Sequence, residues 1–517
     1  MATTQVTSGG LPGAGEVKPL LRSMIAMVAG SAVSAIANFA LVVVLARRSD
    51  PQTVGVLMAG TSLFLIAVVV ARVGTPAGLV FFISRSRALD RPHDILRSIG
   101  LSVVPVTLVC LTVSVGLWMC APTLAATLAP DSSDAVGMLH IFAAFVWVAA
   151  LFEIVTAVLE GFRKMAPTAV LDRMIRPMLQ LVLVTAVAAP GAVLTLTGAW
   201  VAPYLPVLAV ALVWAWWVVR RVTQRRDLTD VRTAVDRVRA EAGPLTRREF
   251  WGFTTPRWLS SMLQVALQRL DIFLVAVLAG PVEAALYTTA TRAIVVGQML
   301  QQAIGQVVQP RFGESLVMGD RQYAQALYTA STSWLVLLTW PIFLSVSILS
   351  VPFLQIFGAE YVAAWPVIVV LSLAQMVATS SGTVDIVLTM SGRSGLALAN
   401  AFAAFVAMVV LDLLLVPSYG ALAAACAWAV SILVRTLLPL WQVHKTLGLS
   451  PYQRQTWLSM AWTVGATGVL PLLVSAAFGW TLPGQLVGFG VGTAVLAAYV
   501  VVRRHQILAW PHSEQVP

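Results

Sequence analysis

Charge is scarce in this sequence. Asp, Glu, Lys and Arg together make up 11% of its 517 residues, against about 25% in an ordinary soluble domain. Hydrophobic residues make up 59% and the mean hydropathy is +0.86, so a soluble globular protein is excluded. Cysteine is scarcer still. Cys110, Cys120 and Cys426 lie in apolar segments without ligand spacing, which excludes a disulfide framework and a cysteine-based metal site. There is no G-x-x-x-x-G-K-[ST] stretch, so the chain is not its own ATPase. The first twenty residues, "MATTQVTSGGLPGAGEVKPL", lack the apolar core of a signal peptide. The first membrane helix then serves as an uncleaved targeting element. Long polar segments are missing too. The longest one is roughly thirty residues, too short for an ordinary soluble domain.

What the chain has instead is apolar length. A bilayer core needs about 20 apolar residues per helix. Blocks of that length lie at 22–46, 53–83, 98–121, 136–160, 166–189, 191–219, 251–279, 284–309, 325–349, 361–390, 394–416, 420–443, 456–478 and 482–502. They predict an all-α integral membrane protein of about 14 transmembrane helices, with no β-barrel alternation.

The loops alternate in charge. Arg85, Arg87, Arg91 and Arg97 share one side with Arg163, Lys164, the arginine-rich stretch 220–248, Arg311, Arg321, Arg393, Lys445, Arg454, Arg503 and Arg504. The opposite loops carry no Lys or Arg except Arg47 and Arg48. By the positive-inside rule both termini are cytoplasmic. The net charge of +11 is thereby accounted for, and a nucleic-acid partner drops out. Within the linker, "DLTDVRTAVDRVRAEAG" aligns Val231, Ala234, Val235 and Val238 on one helical face. It reads either as a solvated connector or as an interfacial helix drawn to anionic headgroups.

An internal repeat is visible. "NFALVVVLA" (38–46) and "DIFLVAVLA" (271–279) match at five of nine positions, at equivalent points of the first and seventh helices. Both copies run in the same direction, which predicts two six-helix lobes related by an axis along the membrane normal, with the substrate path between them. The divisions expected are a tail at 1–20, a first lobe at 21–219, a basic linker at 220–250, a second lobe at 251–445, two further helices at 456–502 and a tail at 503–517.

Polar residues inside the spans mark the path, because charges there usually face protein or water-filled cavities. Arg257, Ser260, Gln264, Gln268 and Asp271 share a face of the seventh helix, with Arg269 off that stripe. Thr291, Gln298, Gln302 and Gln309 share a face of the eighth, with Arg292 adjoining. Asp271 and Arg292 lie at similar depth, which predicts an ion pair across this hairpin. In the first lobe Ser31, Ser34 and Asn38 align, Arg72 precedes a bend at "VGTPAG", and Glu153, Thr156 and Glu160 share a face. Asp172, Arg173, Arg176 and Gln180 occupy one side of the fifth helix, Asp172 and Arg176 spaced as an i,i+4 pair. Single members of this set read equally well as helix–helix fasteners. As an ensemble they predict a hydrophilic cationic chamber. Arg72, Arg173, Arg176, Arg257, Arg269 and Arg292 would bind phosphate. Asn38, Gln264, Gln268, Gln298 and Gln302 would bind sugar hydroxyls, and Glu153, Asp172 and Asp271 would serve ion pairing or coupling. No cofactor and no metal are indicated.

Several stretches resemble a known family. "GAEYVAAWPVIVVLSL" after "LQIF", and "LLVPSYGALAAACAWAVS", are similar to signatures of the polysaccharide flippases, the Wzx type of lipid-linked oligosaccharide exporters. "LVVVLARRSDPQTVGVLMAGTSLFLIAVVVARVGTPAG" resembles that family's opening hairpin through Ala46, Arg47 and Gly55. "LQRLDIFLVAVLAGPVEAALYTTATRAI" and "QPRFGESLVMGDRQYAQAL" resemble its seventh and eighth helices. The resemblance runs from about residue 20 to about 445 and places the chain in the superfamily that also holds multidrug extruders and the peptidoglycan-precursor flippase. It implies two lobes in a V that open alternately to each side. It also implies flipping of undecaprenyl-diphosphate-linked sugar units across the bacterial cytoplasmic membrane, with a polymerase and a chain-length regulator as partners in the same pathway, besides membrane lipids.

The alternative is a cation-coupled multidrug exporter of the same fold, with Glu153 or Asp172 binding the coupling ion. The arginines disfavour it, since they repel cationic drugs. A membrane glycosyltransferase, polymerase or ligase needs catalytic groups in a sizeable outer loop. Here the outer loops are short and His140 stands without partners in the sequence, so a non-enzymatic protein is expected.

Overall fold

The computed structural model describes residues 14–89, 91–130, 134–162, 167–224 and 245–503. The tail before residue 14, Arg163, Lys164, the possible interfacial helix of the linker, Arg504 and the C-terminal tail lie outside the described residues.

The chain is all-helical. Before the linker come α1 (Ala14–Arg48), α2 (Pro51–Ala71), α3 (Thr75–Ala88), α4 (Pro92–Leu128) and α5 (Asp134–Gly161). A run of wide π turns (Thr168–Ile175) then leads into α6 (Arg176–Val187), α7 (Val193–Val201) and α8 (Tyr204–Gln224). After the linker come α9 (Arg247–Leu278), α10 (Pro281–Thr291), a 3-10 turn (Arg292–Ile294) and α11 (Val295–Val317). They are followed by α12 (Arg321–Ile348), α13 (Ser350–Gln355), α14 (Trp365–Ser380), α15 (Val384–Met390) and α16 (Ser394–Leu447). The last three are α17 (Arg454–Thr463), α18 (Leu470–Phe478) and α19 (Leu482–Val502).

Local chemistry sets where these helices start. Asp50 caps α2 by accepting the Thr53 N–H at 2.8 Å, and Pro51 fills the first helical position, where its missing N–H costs nothing. Thr246 caps α9 by accepting the Glu249 N–H at 3.2 Å, in a Thr-x-x-Glu box.

Eleven helices among the described residues are long and apolar enough to cross a membrane. The difference from the fourteen expected blocks has physical causes. The block 166–189 carries Asp172 and Arg173 on its π turns and Arg176 at the start of α6. The block 284–309 is interrupted by the 3-10 turn at Arg292. The blocks 394–416 and 420–443 form one 54-residue helix, α16. At 1.5 Å per residue α16 is about 81 Å long, far beyond a bilayer core of about 30 Å. It is broken at Gly420, whose φ of 55° and ψ of −137° are not helical.

α5 packs against α2, α3, α4 and α8, around a cluster of Phe64, Phe142, Trp200 and Tyr204. α12 packs against α11, α14 and α17, and α9 against α16. The two halves of the chain meet where α2 and α3 pack on α9 and α10.

Candidate functional site

In the first half Arg72 and Arg176 are paired with carboxylates. Arg72 lies at the turn after α2 and forms an ion pair with Glu153 of α5. That turn is sharp because Val73 and Gly74 take φ of 49° and 67°. Asp172 and Arg176 form an i,i+4 ion pair at 2.9 Å. The same guanidinium donates to the Tyr204 hydroxyl at 3.4 Å and to Gln180 at 3.5 Å, and lies 5.1 Å from the Tyr204 ring centroid. Gln180 in turn donates to the Trp200 carbonyl at 2.9 Å. The π turns precede Pro177, whose missing N–H already interrupts the hydrogen-bond ladder. Arg173 donates to Ser31 of α1 at 2.5 Å. Asn38 is exposed and donates to the Ser34 carbonyl at 2.7 Å.

The stripe expected on the seventh helix splits in two. Gln264 and Gln268 are exposed, whereas Asp271 is 4% exposed, because the helix turns about 60° between residues 268 and 271. Arg257 sits near the start of α9, donates to the Phe253 carbonyl and lies 3.6 Å from the centroid of the Phe253 ring. Gln302 is exposed on α11 and Gln298 half-buried.

The pairing of Asp271 with Arg292 is corrected. Asp271 accepts the Tyr287 hydroxyl at 2.6 Å and the Ile272 N–H at 2.7 Å. Arg292 donates to the Thr288 carbonyl at 3.3 Å. The cause is the 3-10 turn that begins at Arg292. There the side chain reaches back one turn, and Tyr287 takes the carboxylate instead. Arg269 and Arg292 lie within electrostatic reach of each other and of Asp271. Among the described residues neither has a carboxylate within ion-pair distance. Arg269 is nine residues from the end of α9, about 14 Å along the axis, and Arg292 eleven from the start of α10, about 16 Å. Both therefore lie at similar distances from the short turn that joins α9 and α10. Arg269 is also within electrostatic reach of Tyr204, so the charged groups of the two halves converge.

Asp412 of α16 is buried within electrostatic reach of Asp271 and Tyr287, and it, Tyr204 and Tyr287 were not singled out in the sequence. The tyrosines gave no signal, since their roles depend on side-chain placement. Asp412 did give one, as a lone acid in the apolar run "VVLDLLLVPS".

Contacts between the halves flank the cluster. Toward the arginine-rich loops, Phe81 stacks on Phe253 with centroids 4.2 Å apart, and Arg85 pairs with Glu249. Toward the opposite side, Arg47 donates to the carbonyls of Gln355 and Ile356 at 2.6 and 2.7 Å. Phe39 there lies 6.0 and 5.6 Å from Phe353 and Phe357, centroid to centroid. Arg48 donates to the Thr185 carbonyl at 2.8 Å. The two arginines that break the loop-charge pattern thus each hold carbonyls at the end of a helix, where a cation is favoured. Asp50 beside them also accepts the Gly191 N–H at 3.1 Å. Burial pushes its carboxyl up, but the hydrogen bonds from Thr53 and Gly191 outweigh burial and hold it below its ordinary value. His140 stacks on Trp118 at 3.9 Å.

No curated protein matches the chain. Residues 20–316 match the family model described as "Polysaccharide biosynthesis protein". Among solved structures, the chain is similar to "Lipid II flippase MurJ, inward closed conformation", with 12% identity and a TM-score of 0.70 over 94% of this chain and 100% of that one. It is also similar to a multidrug resistance MATE family transporter of the MOP superfamily in its inward-facing conformation, with 13% identity and a TM-score of 0.63 over 80% and 95%. A MOP superfamily transporter from Pyrococcus furiosus gives 14% identity and a TM-score of 0.53 over 83% and 96%. These likenesses show that the fold is that of MurJ and the MATE proteins.

Proposed function

The chain belongs to the Polysaccharide biosynthesis protein family, and on that premise we propose that it carries lipid-linked oligosaccharide across a bacterial cytoplasmic membrane. The substrate is an oligosaccharide on undecaprenyl diphosphate, moved from the inner to the outer leaflet by alternating access. The chain crosses fourteen times with both termini inside. Two six-helix lobes form a V around the converging charges, and the last two helices stand beside them. The break at Gly420 and the loop-charge asymmetry support that count. A polymerase and a chain-length regulator would take the product onward, and no chemical step is assigned to this chain.

One observation carries the reading. Arg269 and Arg292 are cations at similar distances from the turn that joins α9 and α10, with no carboxylate in ion-pair reach among the described residues. Two adjacent guanidiniums there repel each other, and a bound diphosphate relieves that repulsion through bidentate hydrogen bonds. Arg72, Arg173 and Arg176 act differently, holding helices together through Glu153, Ser31, Asp172 and Tyr204. Gln264, Gln268, Gln302 and Asn38 are exposed and serve the sugar hydroxyls.

In cells, Arg269→Ala and Arg292→Ala should each abolish surface-polysaccharide export at normal membrane levels of the protein. Arg269→Lys should restore only part of it, because Lys keeps the charge and loses the fork. Normal export by both alanine variants would remove the diphosphate contact from the account.

A further inference from the structure

Arg321 opens α12 on the side of the arginine-rich loops. Among the described residues its guanidinium has neither an ion pair nor a hydrogen bond. It lies over Gly448, which ends α16 with a φ of 62°, and a Cβ there would collide with a guanidinium nitrogen. Arg321, Gln322, Gln453 and Gly448 line one cavity of about 680 Å³ between α12 and the turn that joins α16 to α17, a size suited to a small ligand.

The wall of this cavity is fixed. Gln325, one turn further along α12, donates to the Ser450 carbonyl at 2.6 Å and accepts the Ser450 N–H at 3.0 Å. Both ends of one amide thus clamp the turn onto α12, and the same amide donates to Thr329 at 3.1 Å. At the far end of the turn, Thr456 of α17 donates to the Pro451 carbonyl at 2.7 Å. The charge is one-sided. No carboxylate lines the cavity among the described residues. Asp320, beside Arg321 in sequence, accepts the Tyr323 N–H at 2.9 Å and caps α12. The charged residues closest to the turn in sequence, Lys445 and Arg454, are basic.

We propose that this cavity binds a phosphate group, carried by an anionic phospholipid headgroup or by a soluble phosphate ester. The guanidinium fork takes two oxygens of one phosphate. A tetrahedral phosphate has further oxygens out of that plane for the Gln322 and Gln453 amides, whereas a carboxylate keeps both of its oxygens in the plane. Lys445 and Arg454 add to the positive potential that draws an anion in. The site does not depend on which substrate the protein moves.

The test is thermal unfolding of the purified full-length protein in neutral detergent at fixed pH and ionic strength. One arm adds dioleoyl phosphatidylglycerol, with dioleoyl phosphatidylcholine as its control, and the other adds glycerol phosphate in place of chloride. The wild type should gain about 2 °C or more, saturably, in at least one arm. A response to phosphatidylglycerol alone identifies a lipid headgroup, and a response to glycerol phosphate identifies a soluble ester. Arg321→Gln should raise the half-saturating concentration about tenfold, and Arg321→Lys should fall between it and the wild type. Arg321 is exposed, so both variants should melt with the wild type when no ligand is added. Arg393→Gln removes the same charge at the start of α16, outside the cavity, and should keep the wild-type response. A wild type indifferent in both arms overturns the proposal, as does an unchanged half-saturation in Arg321→Gln. So does an equal loss in Arg393→Gln, which would mark the response as one to surface charge in general.

Discussion

Arg47 shows how far single residues could be read from the sequence. Its breach of the charge pattern is plain in the sequence, but its reason is two carbonyls more than three hundred residues away. The same limit applies at Asp271. Its membrane depth followed from helix counting, whereas its partner depended on a 3-10 turn that no apolar periodicity announces. The pair Asp172–Arg176 is local, four residues apart on one helix, and was legible for that reason. Asp50 supplies a prediction at this scale. Its folded carboxyl titrates below the ordinary 3.8, so its contribution to stability is full above that value and fades as the pH falls below it. Asp50→Asn should flatten the acid limb of stability below about pH 4, measured as melting temperature against pH. An unchanged slope would deny Asp50 that role.

At the scale of elements, the apolar blocks were legible because about 20 consecutive apolar residues in a membrane protein permit little except a spanning helix. Breaks within them were legible only where Pro and Gly stand together, as at "VGTPAG". The π turns before Pro177 and the 3-10 turn at Arg292 depend on packing and left no comparable mark. Gly420 is the most consequential break. Its φ of 55° with ψ of −137° is open to glycine, and a Cβ there would collide with the Glu283 carboxylate. That carboxylate accepts the Ala421 N–H at 2.8 Å and so caps the second part of α16. Gly420→Ala should cost about 1–3 kcal/mol and lower the melting temperature, with further loss from displacing Glu283. Glu283→Ala should also destabilise, by about 1 kcal/mol. If Gly420→Ala melts with the wild type, α16 is not held in this break.

For the whole molecule, the expected parallel repeat pointed to a path between two halves, and charged groups of both halves do converge near Tyr204 and Arg269. The closures on either side were not legible, since Phe81–Phe253 and Arg85–Glu249 join residues about 170 apart in sequence and need the packed fold to be seen. On the proposed cycle the closure at Phe81 and Phe253 must open to admit substrate. In a variant lacking Cys110, Cys120 and Cys426, cysteines at Phe81 and Phe253 joined by a short bis-maleimide should stop transport, and each single cysteine should not. Undiminished transport by the joined pair would mean that this end does not open.

The most direct measurement is translocation of a fluorescent undecaprenyl-diphosphate oligosaccharide in proteoliposomes, read by its accessibility to an added enzyme or quencher. The wild type should move it across the bilayer, and Arg269→Ala with Arg292→Ala should reduce movement to that of protein-free vesicles. Wild-type protein no faster than empty vesicles, or a double variant as fast as the wild type, would contradict the account.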